Sequence, residues 1–279
     1  MKLQTVICIS NRCQDKYSLT VNSPTSMHTV ISTFADHTAI VAVDQNPNTA
    51  SQNLQDHLSS VGDWLRKWRI KVNQAKSMHI TFTIRSGQCP PIYVDQQSIP
   101  QGTSVKYLGM HLDSKLTWRE HIINKRKQLD HNTRKSLWLL GRTSPLSLEN
   151  KLLIYKTILK PVWTYGIELW GCASKTNVSI IQRYQSKLLR IITNAPWYVT
   201  NQTLHSDLRI RYVQSVRDEY TRKHRSTLAH HPNPVVKPLL LYTHQTRRLK
   251  RRWTFDALNW GVVTGHTPGL PCKWQHVSL

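Results

Sequence analysis

The apolar positions of this chain change period once along its length. Val30-Ile31-Ser32-Thr33-Phe34 and Thr38-Ala39-Ile40-Val41-Ala42-Val43 are β-branched-rich runs of strand length. Ala35, Asp36 and His37 lie between them and suit a tight turn, so a hairpin is expected. A helix follows, because Leu54, Leu58, Val61, Leu65 and Trp68 recur at helical spacing on one face. Asn48 or Thr49 is its expected cap. Short strands are expected near Met78–Ile84, Ile92–Val94 and Val105–Leu112, punctuated by Pro90-Pro91 and Gly102. This order predicts an α+β layout, with a helix packed on an antiparallel sheet.

After Asp113 the pattern becomes helical. Helices are expected near 117–141, 147–170, 176–194 and 205–230, with Gly141 and Gly171 closing two of them. Residues 1–26 show no clear period, and the chain beyond about residue 230 is basic and Pro-punctuated. The expected division is a 1–26 segment, an α+β part at 27–113, a helical part at 114–204 and a basic region at 205–279. No internal repeat is visible.

Charge changes the picture most. Lys and Arg total 38 against 15 Asp and Glu, a net charge of +23. A surface this basic calls for a polyanion or an anionic membrane, and counterion release from phosphates favours nucleic acid. RNA and DNA are the expected partners. Arg247, Arg248, Lys250, Arg251 and Arg252 form the densest cluster, with Trp253, Phe255 and Trp260 close by as stacking candidates. The same run also reads as a nuclear-localisation signal or a solvated face, and such aromatics are commonly core.

An apolar content of 39% with ten tryptophans argues against disorder throughout. The five cysteines are scattered and show no CxxC spacing, which fits a reducing compartment. No apolar run reaches bilayer length, and Met1–Ser10 is too interrupted for a signal peptide. An intracellular protein, nuclear or cytoplasmic, without a membrane span or a small-molecule cofactor is expected.

A strand–turn–strand with an acidic tip suits magnesium, a hard cation that prefers oxygen ligands. Paired metals in turn suit phosphoryl transfer. Here the residues become specific. Thr33-Phe34-Ala35-Asp36-His37-Thr38-Ala39 resembles the TFADDTA turn of non-LTR reverse transcriptases. Ser23-Pro24-Thr25 resembles the segment leading into that turn. Trp64 to Trp68, then Asn73 and Lys76, resemble the next block of the family. Val105 to Asp113, Leu116-Thr117-Trp118 and His121-Ile122 resemble its primer grip and thumb entry. Tyr155-Lys156, Leu159-Lys160-Pro161, Tyr165-Gly166 and Trp170-Gly171 resemble its thumb helices. The likeness covers roughly residues 23–245 and is strongest to jockey-type elements.

The resemblance implies the C-terminal half of a palm at 27–113 and a thumb at 114–204, with 1–26 outside the family pattern. It implies Asp36 as a catalytic Mg2+ ligand, Lys76 near the incoming nucleotide, and Tyr107, Leu108 and Gly109 gripping the primer end. Plainer readings stand beside these roles. Asp36 can be a turn former, Lys76 a solvated lysine at the start of a strand, and Tyr107-Leu108-Gly109 a packed strand with a Gly bulge.

The chain departs from the family at His37, which replaces the second aspartate; imidazole is a poor magnesium ligand. The only acidic residue before Asp36 is Asp15, and its setting does not match the family's other catalytic strand. Pro100-Gln101-Gly102 lies downstream of the hairpin, out of place for the family's PQG-type loop. Fingers, half the palm and an endonuclease domain have no counterpart. The expected function is a fragment of an RNA-directed DNA polymerase, catalytically inactive on its own. A basic RNA/DNA-binding module without enzymatic activity, or a pseudogene product, are the alternatives.

Overall fold

The computed structural model describes residues 3–12, 24–34, 37–83 and 89–232. The chain divides into two compact units, Met1–Leu116 and Thr117–Leu279. The first is mixed and the second helical, so the α+β expectation holds.

The first unit is built on a four-stranded antiparallel sheet. Its strands are β1 (Leu3–Arg12), β2 (Thr29–Phe34), β3 (His37–Asp44) and β4 (Lys71–Phe82), in the order β2-β3-β1-β4. Thus Leu3–Arg12, a segment without clear period, forms an inner strand. The β2–β3 hairpin matches expectation, with one correction. His37 is the first residue of β3, paired with Phe34, and does not belong to the turn.

Helix α1 (Pro47–Lys67) crosses one face of the sheet. Its cap is Asn46, not Asn48 or Thr49: the Asn46 side chain accepts from the Asn48 N–H at 3.0 Å, and Pro47 needs no such partner. Leu54, Leu58, Val61 and Leu65 are buried as expected. Trp68 is not; it is 59% exposed. Arg69 turns left-handed at φ 54, with its N–H on Arg66 O and that of Ile70 on Leu65 O. This Schellman ending brings Ile70, not Trp68, onto the core.

A hairpin of β5 (Ile92–Val94) and β6 (Gln97–Ile99) completes that core. Strand β6 went unpredicted because its two-residue turn, Asp95-Gln96, lacks glycine although both φ values are positive. Gln55 fastens this hairpin to α1 through both backbone groups of Tyr93, at 3.0 and 2.9 Å. The other face of the sheet meets a second hairpin, β7 (Ser104–Tyr107) and β8 (Met110–Asp113). The single strand expected over Val105–Leu112 is therefore folded back on itself.

The second unit carries α2 (Arg119–Lys135), α3 (Leu137–Leu140), α4 (Leu148–Ile154), α5 (Lys160–Thr164), α6 (Ile167–Trp170), α7 (Lys175–Thr193), α8 (Asn201–Asp207) and α9 (Val213–Ala229). The helix expected over 147–170 is broken. A π turn at Tyr155–Leu159 precedes Pro161, which has no N–H to give, and Gly166 adopts φ 65. The helix expected over 205–230 is likewise two, α8 and α9, with Arg209 at φ 51 between them. Gly171 matters for space. A Cβ there would lie 2.6 Å from Arg217 Cγ, on the helix α9 that packs against α6. Buried Trp163, Trp170, Tyr155 and Leu188 anchor the core. Gln185 donates to Tyr155 Oη at 2.9 Å and to Arg211 O at 3.0 Å, joining its helices. No helix among the described residues is long and apolar enough to cross a membrane.

One buried group makes the first unit sensitive to acid. His79 on β4 is fully buried, and neither ring nitrogen has a hydrogen-bond partner among the described residues. Burial holds its imidazole down to about 4 from 6.5. The unfolded chain takes up this proton at the higher value, so the contribution is complete above pH 6.5 and is lost as pH falls toward 4. The loss amounts to about 3 kcal/mol at most. His79→Leu should flatten the decline seen in urea titrations between neutral and mildly acid pH. It should leave neutral-pH stability equal or higher, because an unsatisfied buried polar group is removed. Identical acid sensitivity in both proteins would show that His79 is not the cause.

Candidate functional site

The hairpin turn sits at one end of the sheet. Phe34 pairs with His37 and Thr33 with Thr38, which brings strands β2 and β3 together on either side of Ala35-Asp36. Asp36 itself lies outside the described residues, as do Arg247, Arg248, Lys250, Arg251 and Arg252. His37 also pairs with Ser10 of β1, and Ser10 pairs with Asn73 of β4. The three residues therefore stand abreast across neighbouring strands, which places β3 and β4 about 10 Å apart there.

Lys76 lies within β4, not at the start of a strand. Between Asn73 and Met78, β4 carries four residues where β1 carries only Ile9. The excess forms a bulge, braced by the Ser77 hydroxyl donating to Asn73 O at 2.9 Å. Lys76 is exposed on this bulge. The bulge also explains why the strand was expected only from Met78: Asn73 to Ser77 are polar apart from Ala75 and break the alternation.

Tyr107, Leu108 and Gly109 lie at the head of the β7–β8 hairpin. Tyr107 pairs with Met110, and Leu108 and Gly109 form the turn at φ 46 and φ 75. A β-bulge is thus corrected to a two-residue reverse turn with both residues left-handed. The fold brings this head to the other turn. The His37 and Tyr107 rings meet edge-to-face, with centroids 6.2 Å apart and an interplanar angle of 75°.

The chemistry of this end is neutral or basic. Its described side chains are an imidazole, a phenol, an amide and an exposed ammonium group. Among the described residues no three His, Cys, Asp or Glu side chains converge on a possible metal position. Magnesium binds through several hard oxygen ligands, carboxylates above all. The described donor set does not fit it.

One feature went unread in the sequence. Between α7 and α8, Asn194-Ala195-Pro196-Trp197-Tyr198-Val199-Thr200 exposes Trp197 to 89% and Tyr198 to 69%. Two adjacent aromatics after a proline, outside any apolar period, were the available signal.

Comparison with known proteins places the chain among relatives. No family model matches it, and no solved structure matches it. It is 35% identical over 235 residues to the probable RNA-directed DNA polymerase from transposon X-element of Drosophila melanogaster, covering 84% of this chain and 26% of that protein. It is 32% identical over 238 residues to the RNA-directed DNA polymerase from mobile element jockey of the same species, covering 82% and 26%. A third match, to the probable RNA-directed DNA polymerase from transposon BS of that species, is 32% identical over 225 residues and covers 80% and 25%. The chain spans about a quarter of the length of these relatives.

The Leu108-Gly109 turn is testable without a substrate. Gly109→Val forces a β-branched residue to φ 75 and should cost about 1–3 kcal/mol. Leu108→Asn should stabilise by a few tenths to about 1 kcal/mol, since Asn tolerates the left-handed region. Urea titration of the full chain measures both. Equal midpoints for wild type and Gly109→Val would mean that no left-handed turn is present.

Proposed function

We propose, from its homology to the RNA-directed DNA polymerases of jockey-type mobile elements, that this chain is a fragment of such a polymerase and does not synthesise DNA by itself. The observation that carries this reading is the meeting of His37 and Tyr107. The acidic turn and the Tyr107-Leu108-Gly109 turn are about 70 residues apart in sequence, yet they share one end of the first unit. A polymerase needs its metal-binding turn and its primer-holding turn adjacent, because phosphoryl transfer depends on positioning.

In this reading the first unit is the C-terminal half of a palm and the second a thumb. Asp36 is the surviving metal ligand, Lys76 faces the incoming nucleotide, and Tyr107, Leu108 and Gly109 hold the primer end. RNA and DNA are the partners and Mg2+ the ancestral cofactor.

The reason for inactivity is the carboxylate count. His37 stands where a second aspartate is needed. The strand beside β3 on its inner side is β1. Leu3–Arg12 contains no Asp or Glu, so that position supplies no ligand. Each lost metal ligand removes several kcal/mol of transition-state stabilisation, and about 1.4 kcal/mol is tenfold in rate. A second reading, a basic RNA/DNA-binding module without catalysis, is favoured by the net charge of +23.

Templated primer extension with magnesium, and then with manganese, should give no incorporation by the full chain. His37→Asp should give none either, because it restores only one of the missing carboxylates. Incorporation by either protein would overturn the inactive reading.

A further inference from the structure

The exposed loop between α7 and α8 is held too firmly to be a slack connection. The Val199 N–H donates to Pro196 O at 3.2 Å, closing a turn whose two central residues are Trp197 and Tyr198. The Arg190 guanidinium grips both sides of that turn. It donates to Pro196 O at 3.0 Å, to Val199 O at 2.6 Å and to Asn201 Oδ1 at 3.0 Å. Asn194 ends α7 left-handed at φ 52, and the Thr200 hydroxyl caps α8 by accepting from the Thr203 N–H at 3.1 Å. The two rings touch edge-to-face, with centroids 6.0 Å apart. Exposing two large aromatics on a braced turn leaves apolar surface in water, and the core gains nothing from it.

The charge around this turn selects the ligand. Arg183, Lys187 and Arg190 follow at i, i+4 and i+7, so they share one face of α7. Arg183 and Lys187 are exposed, and Arg190 ties the aromatic turn to that same face. Lys175–Thr193 contains no Asp or Glu. A basic stripe ending in two open rings matches a chain of phosphates that carries unpaired bases. The stripe attracts the backbone, and the rings accept any base by its π-face.

We propose that Trp197 and Tyr198 form a stacking platform for single-stranded nucleic acid, with Arg183 and Lys187 holding the adjoining phosphates. Arg190 is a positioning residue, since its guanidinium is spent on the loop. The proposal rests on the reading of this chain as nucleic-acid-binding, and it locates a site within the second unit.

The test compares full-length variants by fluorescence anisotropy on labelled oligouridine and on a labelled duplex of equal length, across a salt series. Trp197→Ala with Tyr198→Ala should weaken oligouridine binding at least about tenfold, at an unchanged salt slope and with duplex binding within about twofold of wild type. Trp197→Phe should retain most of the affinity. Arg183→Gln with Lys187→Gln should lower the log–log salt slope by about 1.4. Because both rings are exposed, far-ultraviolet circular dichroism of the variants should match wild type.

Wild-type binding that is indifferent to the double aromatic change would overturn the platform alone. So would equal loss on duplex and single strand, or conversion of an oligomer to a monomer with RNA binding intact. No binding by the wild-type chain would overturn the platform and the nucleic-acid reading together.

Discussion

Burial of β3 on both faces is the constraint on which the first unit depends. Ile40 and Ala42 face α1 and the β5–β6 hairpin, while Ala39 and Val41 face the β7–β8 hairpin. A strand covered on both sides must satisfy its backbone groups within the sheet, since no water reaches them. β2 and β1 do that, one on each edge. The pairing in turn sets where the hairpin turn lies, because a one-residue slip would send every side chain of β3 to the opposite face. The position of His37 thus follows from core packing, not from any need of a metal.

The second unit solves a different problem. Several of its helices are short or interrupted, and polar links join them: Gln185 to Tyr155 and Arg211, and Tyr184 with Thr133 at 2.6 Å. Burial pushes the Tyr155 and Tyr184 hydroxyls up to about 12, so both stay protonated and able to donate. Apart from buried Lys151, the described Lys and Arg residues reach the surface, where a few find acidic partners, such as Arg211 with Glu219 and Lys223 with Glu219. With 15 acidic residues against 38 basic ones, most cannot. Such a surface repels itself unless counterions or a polyanion cover it.

In the proposed reading, the acidic turn keeps the framework of a site without its chemistry. Hairpin register, the His37–Tyr107 contact and the left-handed Leu108-Gly109 turn are all backbone and packing features. They are compatible with His37, because imidazole is tolerated at the start of a strand and meets Tyr107 edge-to-face. Metal binding is less forgiving, since it depends on summed negative charge within a few ångströms. Folding and catalysis therefore place different demands on the same residues.

Local chemistry was legible in the sequence. The β2–β3 hairpin, the apolar stripe of α1, the change to helical period after Asp113 and the basic excess each depend on residues near one another in the chain. The Thr33–Ala39 motif is local in the same way, and its Asp36, like the Arg247–Arg252 cluster, lies outside the described residues. Tertiary structure decided what depends on partners distant in sequence. It put Leu3–Arg12 inside the sheet, bulged β4 around Lys76, turned Trp68 outward and folded Val105–Leu112 back at Leu108-Gly109. It also braced Trp197 and Tyr198 in the open through Arg190. Periodicity records which face of an element is buried. It carries no record of which strand pairs with which, or of an arginine spent on a loop, because those energies belong to contacts that exist only once the chain has folded.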